Sequence, residues 1–125
     1  MLRRFTLILL SSLLVLPNLP AQETPGKHSV RMGVLLPFKE KTPRGAKMVE
    51  FYQGILMAVD SLKHEGISID LQALHTGSTA NEMDQLLANN KLKDCDVVFG
   101  PLDAAQLPAL ADYCDLHDIH LVVPF

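Results

Sequence analysis

The sequence predicts an α/β protein, an open parallel sheet with helices on both faces in the order βαβαβαβ. Three observations carry that reading. Between residues 30 and 125, short apolar runs that stop at Pro, Gly or a polar turn recur four times. The stretches between them place apolar residues three and four apart, the spacing of a helix with one buried stripe. These stretches are long enough to cross over a sheet, and the strict alternation of strand with crossover implies parallel strands.

The chain opens with Met1-Leu2-Arg3-Arg4, continues as an apolar run from Phe5 to Leu16, and reaches the breaker-rich, small-ending stretch Pro17–Ala21. That layout predicts a secretory signal peptide over residues 1–21, cleaved after Ala21. The run is about half of the ~20 residues a spanning helix requires, so a permanent membrane anchor is the weaker alternative. Gln22–Ser29 has no apolar period and reads as a flexible lead. The domain is expected over residues 30–125.

Val30–Leu36 (VRMGVLL), closed by Pro37, suits a strand covered on both faces. Lys39–Gly45 reads as a charged loop. From Ala46 to Glu65, Met48, Tyr52, Ile55, Val59 and Leu62 form a helical stripe, widened by Val49 and Leu56, and Gly66 is placed to stop it as a left-handed cap. Ile67–Leu74 alternates well enough for a strand with one less protected side, near an edge. Thr79-x-x-Glu82 has capping-box spacing and opens a helix whose inward face is Met83, Leu86 and Leu87, ending at Asn89-Asn90. Asp96–Phe99 is the third strand. The third helix falls between Asp103 and His117 with Leu107, Leu110, Ala111 and Cys114 on one side; Pro108 is tolerated if its regular turns begin near Leu107. Ile119–Val123 is the fourth strand, and the sequence stops at Phe125 with that strand barely closed, as though cut from something longer.

Removing residues 1–21 takes away two arginines and no acid, leaving nine basic against fourteen acidic side chains. A mildly acidic chain of this kind argues against nucleic acid or an anionic membrane surface as partner. No membrane span is expected after cleavage. The first loop lacks both the Gly-rich dinucleotide signature and the phosphate loop, and no nucleophile elbow is present, so no cofactor and no catalytic residue are expected. His75 and Ser78 read as a turn. Asp115, His117, Asp118 and His120 include a spacing that metals use, but a solvated helix end accounts for them and no metal is expected. Cys95 and Cys114 are expected as two buried thiols, with a disulfide as the alternative.

In an open parallel sheet the carboxyl ends of the strands converge on one rim, and ligands bind where the strand order reverses. The ends here are Pro37-Phe38, His75-Thr76-Gly77, Gly100-Pro101-Leu102-Asp103 and Pro124-Phe125.

MGVLLPF, EFYQGILMAVDSL, DVVFGPL and the closing IHLVVPF resemble the first lobe of the type I periplasmic binding fold, the family of leucine/isoleucine/valine-binding proteins and receptor ligand-binding regions. More narrowly, they are similar to the binding-fold portion of bacterial envelope proteins that carry a LysM module, although no LysM module is visible here. The resemblance covers Val30–Phe125. It implies two lobes that close over a small polar ligand, with contacts on this lobe at Phe38, Thr76, Leu102, Asp103 and Phe125. Members that bind amino acids place small hydroxyl residues after the Gly-Pro, whereas Leu102, Asp103 and Ala104 stand here. A carboxylate at that point repels a ligand carboxylate and favours a cationic or hydroxyl-rich ligand; the alternative is that Asp103 merely caps the third helix. The expected function is therefore a non-enzymatic solute-binding or sensing module of the periplasm or cell envelope, whose partners are a second lobe or other chain and a transporter or cell-wall machinery. The alternatives are an envelope scaffold that uses the fold without a small ligand, and a small exported enzyme.

Overall fold

The computed structural model describes residues 29–125. The expected signal peptide and all of the lead except Ser29 lie outside the described residues. Ser29 itself begins the first strand.

Four strands, β1 (Ser29–Leu36), β2 (Ser68–His75), β3 (Val97–Phe99) and β4 (His120–Val122), alternate with three helices, α1 (Pro43–His64), α2 (Ala80–Ala88) and α3 (Leu107–Leu116). The sheet order is β2-β1-β3-β4 and every pairing is parallel. The edge position read for the second strand is the one it takes. Alternate residues of β1 divide the core. Leu35, with Val98 of β3, packs against Met83 and Leu87 of α2 and Leu110 and Cys114 of α3. Val34 and Leu36 pack against Met48 of α1. Helices thus cover both faces, one on one side and two on the other.

One helix start differs for a local reason. Helix α1 begins three residues before the expected Ala46, because Thr42 Oγ1 accepts from the Gly45 N–H at 3.1 Å and Pro43 needs no donor in the first turn. It ends as expected at Gly66, whose φ is +88° and whose N–H donates to Lys63 O at 3.1 Å. The α3 region starts as a single tight turn, Ala104–Gln106, before regular turns begin at Leu107 with Pro108 in the first of them. The stripe on α1 is also rotated from the one expected. Phe51 packs on the core with Tyr52 and Ile55, whereas Val49 and Leu56 remain 39% and 43% exposed.

The capping box of α2 is complete. Glu82 accepts from the N–H groups of Ser78 and Thr79, each at 2.9 Å, and from the Thr79 hydroxyl at 2.8 Å. The Ser78 and Thr79 N–H donors, then the Thr79 hydroxyl, hold the Glu82 carboxyl below the usual carboxylate range. A depressed folded value means that the box contributes in full above the ordinary glutamate value, near 4.3, and loses its contribution as pH falls through the lowered one. Melting temperature followed against pH should therefore drop less steeply on the acid side in Glu82→Gln than in the parent chain. Equal acid slopes would refute this role.

Both cysteines are free thiols. Cys114 is buried and its thiol is pushed up to about 11 by burial; burial also raises Cys95, which is half-buried. Neither offers a ready thiolate. Among the described residues no helix is long and apolar enough to cross a membrane.

Candidate ligand-binding rim

Strand order reverses between β1 and β3, so the loops leaving these two strands diverge toward opposite faces and leave a crevice at their carboxyl ends. The β1 loop folds back at once: the Phe38 N–H donates to Leu36 O at 2.9 Å and the Glu40 N–H to Pro37 O at 3.3 Å. The ring of Phe38 meets Tyr52 edge-to-face at 5.2 Å, which turns it toward α1. The β3 loop leaves through Gly100 at φ +128°, and Leu102 packs on the same cluster as Phe38.

One side chain spans the crevice. Arg44, in the first turn of α1, forms an ion pair with Asp103 of the β3 loop and a second with Glu40 at 3.5 Å. The bond to Asp103 is the main reason its guanidinium is held protonated beyond the ordinary arginine range. Asp103 stands at the cap position of the tight turn without making a capping hydrogen bond. The capping alternative for this residue is therefore corrected: its carboxylate pairs with Arg44 through Oδ2 instead. An arginine has five N–H donors, and at 44% exposure Arg44 keeps some of them facing solvent.

Three of the five expected contact residues come together. Leu102, Asp103 and Phe125, with Pro101, Ala104, Leu107 and Val123, line a cavity of about 110 Å³ at the ends of β3 and β4. Phe125 is 55% exposed and its ring packs edge-to-face on Phe51 at 5.0 Å. Phe38 and Thr76 do not line that cavity. Thr76 sits beneath the surface at 1% exposure, with its hydroxyl donating to Gly77 O at 3.0 Å. It also faces a separate groove with Lys39, His75 and Gly77.

Arg44 and Gln106 are the residues that sequence reading missed. Gln106 is fully buried; its Nε2 donates to Thr76 O at 2.9 Å and Thr79 O at 3.0 Å, tying the loop after β2 to the turn before α3. Its Oε1 has no hydrogen-bond partner among the described residues. The Thr42-Pro43 start signal could have placed Arg44 on a helix rather than in a loop. No comparable signal marks Gln106.

The remaining chemistry is dispersed. His75 Nδ1 accepts from the Lys39 N–H at 3.3 Å, and the Ser78 N–H is committed to Glu82. His117 stacks on Tyr113 at 4.1 Å and its Nδ1 lies 2.9 Å from Tyr113 O, while His120 is exposed on β4. Among the described residues no group of three His, Cys, Asp or Glu side chains could hold a metal ion. Compared with known protein families, curated proteins and solved structures, the chain matches none.

Proposed function

We propose that this chain is an exported, non-enzymatic solute-binding module, the first lobe of a type I periplasmic binding fold, and that it holds a small hydroxyl-rich ligand at the rim formed by Leu102, Asp103, Phe125 and Arg44. The observation that supports this reading is the pairing at the reversal point of the sheet. Asp103 provides acceptor oxygens, Arg44 beside it provides donors, and the exposed face of Phe125 provides apolar area. Hydroxyl groups both donate and accept, so they satisfy such a pair without opposing either charge. A free cation would have to displace Arg44, and a carboxylate would meet Asp103. The cavity of about 110 Å³ is below the ~300 Å³ of ordinary ligand pockets, which fits one wall of a two-lobed clamp. Closure of the second lobe would complete the site, and a transporter or envelope partner would read that closure.

A thermal-shift panel of sugars and polyols, amino acids and polyamines tests this. A ligand at 100 times its dissociation constant adds ~2.7 kcal/mol, which for a domain of this size raises the melting temperature by ~10 °C or more. The rise should come from the sugar and polyol set and vanish in Asp103→Ala. Silence across the whole panel would instead favour an envelope scaffold without a small ligand. That second reading has its own support in the apolar side chains left exposed on α1 and after β4, among them Met57 at 74% and Val123 at 43%.

A further inference from the structure

Strand β2 is an outer strand of eight residues, and it carries neither Pro nor Lys, two common devices for blunting an edge. Thr76 donates its N–H to Leu36 O on β1. By strand alternation, the backbone groups of Ile69, Leu71, Ala73 and His75 therefore point away from β1, toward the open side. A row of N–H and C=O groups faces outward along the whole strand.

Three grooves follow this strand. One, of about 340 Å³, lies between β2 and α1 and is lined by Leu56, Val59 and Ile69. The other two, of about 370 and 440 Å³, lie on the α2 side and share Lys91. The latter exist because α2 has nine residues where α1 has 22. A helix of ~13 Å cannot cover a strand of ~26 Å.

The two sides differ in chemistry. On the α1 side Leu56 is 43% exposed, and Val49, two turns earlier on the same flank, is 39% exposed. On the α2 side the lining is polar and of mixed charge, Lys39, Lys91 and Arg31 with Glu82, Asp70 and Asp94, and neither lysine forms an ion pair among the described residues. A strand that fits here is apolar on one face and polar on the other. β2 has that alternation itself: Ile69 and Leu71 on the α1 face, Asp70 and Gln72 on the opposite face.

We propose that a second copy of this chain adds its β2 antiparallel to this one, about a two-fold axis perpendicular to the sheet, joining two four-stranded sheets into one of eight. With Leu71 opposite its own counterpart, Ile69 faces Ala73 and Asp70 faces Gln72 across the axis. No like charges stand directly opposite each other, and Asp70 of one copy enters a groove that Arg31 and Lys91 of the other line together with its own Asp70 and Asp94. Because α1 overlies β1 and β2, the two α1 helices come side by side near the ~10 Å spacing of packed helices, with Leu56 and Val49 between them. The join runs along the side of the sheet and leaves the rim of each copy open, so it does not depend on the ligand reading.

Sedimentation of the full chain at about 100 μM should give the mass of two chains. Ala73→Pro, at an exposed position whose N–H points outward, should weaken association at least ~tenfold with an unchanged circular dichroism spectrum. In the unsubstituted chain, hydrogen exchange at the Leu71 and Ala73 amides should slow as concentration rises. A single-chain mass throughout would overturn the proposal. So would exchange at those two amides that ignores concentration, and that measurement decides alone if Ala73→Pro fails to fold.

Discussion

Replacing Gly100 by alanine should cost at least ~3 kcal/mol and leave most molecules without a cooperative melt at physiological temperature. Gly100 has φ +128°, a conformation that side-chain-bearing residues rarely adopt, and an added Cβ would lie 2.2 Å from Leu35 O and 3.2 Å from Leu35 Cβ. The opposing atom is main chain in the central strand of the sheet, so it cannot step aside as a side-chain tip would. The Gly100 N–H also donates to Val122 O at 2.9 Å, so displacing this residue loosens β4 along with the β3 loop. Circular dichroism melts and urea titration measure the loss. A variant within ~1 kcal/mol of the parent would mean that this turn yields more readily than its geometry implies.

The second large effect is expected for Leu35→Ala. Leu35 is fully buried on β1, with Leu74 of β2 opposite it in the sheet, and packs with Val98 of β3 and with Met83, Leu87 and Leu110 on the α2 and α3 side. Truncation removes transfer energy and leaves a cavity that helices from two elements cannot both follow inward. The expected loss is ~3 kcal/mol, or ~15 °C in melting temperature. Leu35→Met, which nearly conserves volume, should lose less than ~1.5 kcal/mol. If the two substitutions were equally damaging, close packing at this position would not be what stabilises the domain.

How much of this was legible in the sequence depended on how local the cause was. The capping box of α2, the stop at Gly66 and the tolerance of Pro108 each rest on residues within one turn of one another, and each was readable. Parallel pairing followed from the alternation of elements. The α1 stripe was read only approximately, because apolar residues lie on two flanks. Which flank is buried depends on where the sheet sits, and Phe51 took the place expected of Val49 and Leu56. The rim was harder still. Leu102, Asp103 and Phe125 meet as expected, but Asp103 is paired with a residue 59 positions away, and Gln106 reaches a carbonyl 30 positions away. No spacing rule encodes contacts of that range. They arise only after the crossovers have brought separate loops to one end of the sheet.

The two carbonyls held by Gln106 belong to the first residue after β2 and to the cap of α2, while Gln106 itself stands just before α3. One amide thereby holds both ends of the β2–α2 loop to the turn before α3. Removing that amide would leave both carbonyls without this donor, so a change at Gln106 is felt at the entrance of α2.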